Sequence, residues 1–232
     1  MATAGTRTTI GTDYGRIAGA AGIVSGVLLI LLVILTFAGG APPALDDPAQ
    51  DVISYYQDNE GLSKLGGILG FIALLTVPVW FIGIYNALRD RGTATTGGVG
   101  TTAAADGVAW PRLGLVALIV TGALVAVQGS AALALGLGAT DEFQGAPAVA
   151  GALFDLYNAL GAAIAITFGL FLLAIGVALQ RSGGYPNWWA SLLYVGALAS
   201  FISFFAPFFE ADALAYFGLI PILILAVFAL AS

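Results

Sequence analysis

Long apolar stretches alternate with short polar ones along the chain. Six of the apolar stretches read as membrane-crossing helices, over about 17–38, 65–88, 113–135, 149–179, 189–208 and 213–231. A hydrocarbon layer about 30 Å thick needs about 20 mainly apolar helical residues, and the last two stretches are the shortest that meet this. The prediction is an all-α polytopic transmembrane bundle of six spans, forming a single transmembrane domain over 1–232. Small residues follow the first stretch, in "FAGGAPPA". Its apolar core nevertheless exceeds the roughly 7–15 residues of a secretion signal, so it reads as a permanent helix.

The polar gaps carry their own signals. In "LDDPAQDVISYYQDNEG" a short amphipathic helix is predicted over about 48–59, with Asp47 as N-cap, Pro48 as first helical residue, Gln50 as capping-box partner and Gly61 as stop. Val52, Ile53, Tyr55 and Tyr56 share one side of it, so it is expected to lie on the membrane surface or to lid the bundle. Its acids lack the spacing of a calcium loop and read as a solvated face. The Gly- and Thr-rich "RDRGTATTGGVGTTAAADG" reads as a flexible linker. Without the lysine and preceding strand of a phosphate-binding loop, it offers no nucleotide site.

Basic residues set the expected orientation, because cytoplasmic loops carry the excess of Lys and Arg. With the N-terminus inside, Arg7, Arg16, Arg89, Arg91, Arg112 and Arg181 fall on the inner side and only Lys64 outside. Asp46, Asp47, Asp51, Asp58, Glu60, Asp141, Glu142, Glu210 and Asp212 fall outside. Tyr14, Tyr85, Trp110, Tyr185, Trp188 and Trp189 sit near inner helix ends, where amphipathic rings favour the interface. The expected location is the cell membrane, with both termini cytoplasmic.

Composition narrows the chemistry. Of 232 residues, 59% are hydrophobic and 9% charged, against roughly 25% charged in soluble domains. The net charge of −6 argues against nucleic acid and against a polybasic grip on anionic headgroups. With no Cys and no His, thiolate and imidazole ligands and the nucleophile pairs built on them are absent. No metal, no cofactor and no catalytic role is expected. One Lys beside six Arg, with abundant Ala, Gly and Asp, suits a high-GC prokaryote.

Candidate polar contacts are few. An ionisable residue within a span is a functional-site hypothesis by default, which singles out Asp155 at the head of the fourth span. Counting back about 20 residues from Leu179 places it above the hydrocarbon edge, at the height that the same count gives Lys64 on the second span. An ion pair between Lys64 and Asp155 at the outer rim is therefore predicted. Gln128 and Asn158 are the uncharged polar residues expected to touch a ligand, if one binds. The remaining hydroxyls, Thr76, Thr121 and Thr167 among them, are expected to bond between helices.

Small residues at helical spacing predict close packing. They are Gly15, Gly19, Gly22 and Gly26 on the first helix, Gly66 and Gly70 on the second, and Gly161, Ala165 and Gly169 on the fourth. Pro78 and Pro221 are expected to kink their spans. The first and third helices match as "RIAGAAGIVSGVLL" and "RLGLVALIVTGALV", and the second and fourth both end on Ala-Leu, which suggests duplicated helical hairpins.

"PPALDDPAQDVISYYQDN" after the first helix and "YPNWWASLLYVGAL" opening the fifth make the chain resemble uncharacterised prokaryotic six-helix integral membrane proteins of unknown function. The resemblance implies a fold and a membrane location, and no site residue. The expected role is that of a non-catalytic structural or accessory component. It would act through helix packing with a membrane-protein partner, a second copy or lipid. The alternative is a small permease or lipid-binding protein with a site between the repeats. An intramembrane enzyme would need clustered ionisable groups, and only Lys64, Asp155, Tyr157 and Asn158 approach that.

Overall fold

A computed structural model describes residues 10–44, 46–94, 101–138, 143–183, 185–209 and 216–231. Arg7, Asp141, Glu142, Glu210 and Asp212 lie outside the described residues. The helices are α1 (Ile10–Ala38), α2 (Ala49–Asp58), α3 (Glu60–Ala94), α4 (Thr101–Gly138), α5 (Pro147–Ser182), α6 (Asn187–Phe204) and α7 (Leu219–Ala231). There is no strand among the described residues. Five helical stretches are long and apolar enough to cross a membrane: Tyr14–Ala38, Glu60–Arg89, Ala109–Gly138, Pro147–Ser182 and Asn187–Phe208. On that length and apolarity the chain is a multi-pass helical membrane protein. The last helix, α7, has 13 residues, a rise of about 20 Å, and is shorter than a full span.

The long helices close into a ring. Each of α1, α3, α4, α5, α6 and α7 packs on the one before it and the one after it, and α7 returns to α1. Large apolar side chains such as Ile17, Ile23, Leu75, Ile119 and Leu198 face outward, a surface suited to lipid rather than water. Arg16, Arg89, Arg112 and Arg181 gather at one end of the ring, hereafter the basic end, where the Arg181 guanidinium sits 5.6 Å from the Trp110 ring centre. That end is densely filled. Trp80, Phe81, Phe171, Trp189 and Phe228 join Leu88, Ile175 and Leu179 in one buried cluster, with Phe81 edge-on to Phe171 at 5.0 Å.

Glycine sets how closely some helices meet. A Cβ placed on Gly22 would lie 2.6 Å from Trp80 Cδ1, and one on Gly169 would lie 2.6 Å from Phe201. Gly26 meets α7 in the same way. By contrast Gly15, Gly19, Gly66 and Gly70 have nothing within 4 Å of such a position, so they are not the contacts that their spacing predicts. Hydroxyls bond across helices, Ser25 with Thr76 (3.0 Å) between α1 and α3 and Thr121 with Thr167 (2.9 Å) between α4 and α5. Bonds of this kind contribute about 0.6 kcal/mol each.

The connections depart from expectation in two places. The linker is helical at both flanks, with α3 continuing to Ala94 and α4 starting at Thr101. Ala103, Ala104 and Ala105 favour helix, and Pro111 removes a single backbone donor without ending it. The capping box of α2 does not form. Pro48 stands at the N-cap, and Asp47 Oδ2 accepts instead from the Ala44 N–H at 2.7 Å. Gly61 lies inside α3; the break falls at Asn59, whose backbone N–H and Nδ2 both donate to the Tyr55 carbonyl. An Asn side chain that satisfies a terminal carbonyl closes one helix and lets the next begin at once. Val52, Ile53 and Tyr56 of α2 are buried against Leu135, Ala150 and Phe154, so α2 lids the end opposite the basic one.

Candidate functional site

Beneath that lid the ring is not filled. A cleft of about 1160 Å³ is lined by the last turns of α1, by α2, by the first half of α3, and by facing stretches of α4 and α5. Between Leu62 and Leu74, α3 contributes residues from all around its circumference, so open space lies on both its flanks. The glycines explain this. Gly66, Gly70 and Gly129 line the cleft with no atom near where a side chain would stand, and the helices are left apart where larger residues would fill the gap. Ile68 and Phe71 line the cleft yet are 60% and 62% exposed, so the cleft opens sideways, toward the hydrocarbon.

Three of the four residues singled out from sequence, Lys64, Gln128 and Asn158, line this one cleft. Asp155 does not. It is exposed and lies off the face of α5 that carries Phe154, Tyr157 and Asn158. The predicted Lys64–Asp155 pair is not formed, because Lys64 bonds Glu60 one turn earlier on its own helix. An i,i+4 partner requires no second helix to be held in place, and such exposed pairs contribute about 0.3–0.5 kcal/mol. Gln128 Nε2 donates to the Tyr157 carbonyl at 3.0 Å and so bridges α4 and α5. Asn158 Nδ2 donates within its helix to the Phe154 carbonyl at 3.0 Å.

Aromatic residues complete the polar end. Tyr55, Tyr56, Tyr157 and Tyr216 all line the cleft, and the rings of Tyr55 and Tyr56 meet edge to face at 5.5 Å. On sequence, Tyr55 and Tyr56 belong to an amphipathic face and Tyr216 carries no signal; the convergence arises from packing α2 over the ring. Burial pushes the Tyr56 phenol well above the usual tyrosine range, with smaller contributions from the Tyr157 and Tyr55 phenols nearby. Tyr55 is raised as well, by burial and then by Tyr216. A raised folded-state pKa stabilises the fold below the unfolded value and ceases to do so as pH rises through the folded value. Stability is therefore expected to hold up to about pH 10 and to fall above it. Tyr56→Phe should flatten that alkaline limb when unfolding midpoints are measured from pH 8 to 11.

The arrangement can hold and orient a ligand through neutral donors and acceptors at one end and apolar contact along the rest. Among the described residues no group of three acids comes together as a metal site. Comparison with family models, with curated proteins and with solved structures yields no match to this chain.

Proposed function

We propose that this protein binds a lipid, or a similarly amphipathic molecule, in the lateral cleft around α3. The observation that carries the reading is the cleft itself: about 1160 Å³, above the roughly 300–1,000 Å³ of ordinary small-molecule sites, apolar along its walls, polar under the α2 lid and open on the lipid side. The reading favours the carrier role over the purely structural one. A second role in assembly is favoured by one observation, the exposed and unpacked Gly15 and Gly19 on α1, where a second helix could approach closely.

Several features accompany this proposal. In this reading the protein lies in the cell membrane with six spans, the stretch Tyr216–Ala231 belonging to the last, and both termini are cytoplasmic, an orientation that the arginines of the basic end support. The bundle is built from duplicated hairpins, α1–α3 and α4–α5. Two contacts support that. Aligning "IVSG" with "IVTG", and Lys64 with Asp155, pairs Ser25 with Thr121 and Thr76 with Thr167, and both hydroxyl pairs are bonded. The same alignment pairs Ala18 with Gly114 and Gly83 with Ala174, and both of these meet as well.

Filling the cleft tests the proposal. Gly70→Leu and Gly129→Leu extend into empty space, and each gains up to about 1 kcal/mol of helix propensity. Native mass spectrometry of the wild-type protein from its own membrane is expected to show a retained amphiphile, and each variant to lose about nine-tenths of it, roughly a tenfold change in affinity, with an unchanged or raised unfolding midpoint. Equal retention by wild type and both variants would remove the cleft from the function.

A further inference from the structure

The cleft holds more than apolar room, and the hydrogen-bond inventory at its lidded end points to one class of headgroup. Three amide side chains line it, and each spends its NH₂ on a backbone carbonyl: Gln128 on Tyr157, Asn158 on Phe154 and Asn59 on Tyr55. Their carbonyl oxygens, which make no hydrogen bond among the described residues, are acceptors. The four cleft tyrosines bring phenol oxygens that can donate and accept, and no protein partner for these is present among the described residues either. Gly39, at the end of α1, leaves them room, since a Cβ there would stand 2.8 Å from Asn59 Oδ1 and 3.2 Å from Tyr55 Oη.

The charges at this end do not suit an anion. Lys64 is engaged by Glu60, and Asp47, also on the cleft, brings a carboxylate. A phosphate headgroup needs charged donors; the cation on the cleft, Lys64, already stands against the Glu60 carboxylate, and the rest of the lidded end offers amide carbonyls and a further negative charge. A headgroup of several hydroxyls fits both halves of the inventory, since its protons go to the amide oxygens and its oxygens accept from the phenols.

Resting on the reading of the cleft as a lipid site, we infer that its ligand is a lipid with an uncharged, hydroxyl-rich headgroup, of the glycosyl-diacylglycerol kind, taken from the leaflet on the lidded side. The headgroup sits beneath α2 among Tyr55, Tyr157, Gln128 and Asn158. The acyl chains leave sideways past Ile68 and Phe71.

The experiment uses the full chain in nanodiscs carrying equal fractions of glucosyl-dioleoylglycerol, dioleoyl phosphatidylglycerol and dioleoyl phosphatidylcholine, with retained lipids counted by native mass spectrometry. The glucolipid is expected to be retained about tenfold over either phospholipid. Tyr157→Phe, which removes one oxygen and keeps the ring, and Gln128→Leu should each reduce that preference about three- to tenfold, the effect of one hydrogen bond. Tyr157→Phe should leave the unfolding midpoint in place, and Gln128→Leu should lower it only by the loss of its bond to the Tyr157 carbonyl. A phospholipid retained as well as the glucolipid, and still expelled by Gly129→Leu, overturns the headgroup inference and leaves the lipid cleft standing. No lipid retained, and no change in Gly129→Leu, overturns both.

Discussion

Trp80→Ala is expected to destabilise the protein by about 3–5 kcal/mol, the range for truncating a buried aromatic side chain. Trp80 is 2% exposed. Its ring stands edge-on to Phe228 at 5.7 Å, and Phe228 in turn meets Trp189 at 5.2 Å. The indole also fills the groove that Gly22 leaves on α1. One side chain therefore joins α1, α3 and α7, and α7 is the shortest helix of the ring. Between helices in lipid there is no gain from leaving water, so close contact supplies most of the attraction. A void sealed inside the basic end forfeits that contact, and no acyl chain can enter to replace it. Unfolding of wild type, Trp80→Ala and Phe228→Ala by denaturing detergent measures the effect. The two losses should add to more than the double variant shows, because both remove the same contact. A loss below about 1 kcal/mol, smaller than that of a buried leucine, would mean that the cluster is not sealed.

Gly83→Ala is expected to cost about 1–3 kcal/mol by overpacking, and adding Ala18→Gly should restore most of it. A Cβ on Gly83 would lie 2.5 Å from the Ala18 Cβ, and neither methyl group can rotate out of the way. The helices would have to separate, loosening the Ser25–Thr76 bond farther along the same interface. The α4–α5 interface carries the exchanged arrangement, with glycine at 114 on the first helix and alanine at 174 on the second, and a Cβ on Gly114 would stand 3.7 Å from the Ala174 Cβ. The double variant therefore gives α1–α3 the pairing that α4–α5 uses. The same detergent titration checks both variants, and a double variant no more stable than Gly83→Ala would show that the two positions are not in contact.

Much of the fold was legible in the chain. Mean apolarity over about 20 residues locates a helix whatever its neighbours are, because insertion depends on what each segment presents to lipid. Helix ends were less legible. Asp47 accepts from the Ala44 amide before it and caps no helix, a local choice that spacing does not resolve. Gly66 and Gly70 repeat at the interval of a packing motif and yet border open space, since a small residue permits close approach without supplying the partner that makes it. Asp155 and Lys64 have matching heights along their helices, but pairing also depends on how each helix is rotated, and rotation follows from packing around the whole ring.

The sequence by itself determined that this is a helical membrane protein, roughly where its long helices run, which residues are polar within them, and that a short amphipathic helix follows the first span. Each of these rests on properties of residues close together in the chain: hydropathy, helix period and turn chemistry. Only the tertiary structure decided that the helices close into a ring, that aromatic side chains fill one end while glycines leave the other open, and that Gln128, Asn158 and the tyrosines share a cleft which Asp155 does not enter. Those outcomes depend on the shapes of side chains brought together from different helices, and no single segment carries that information.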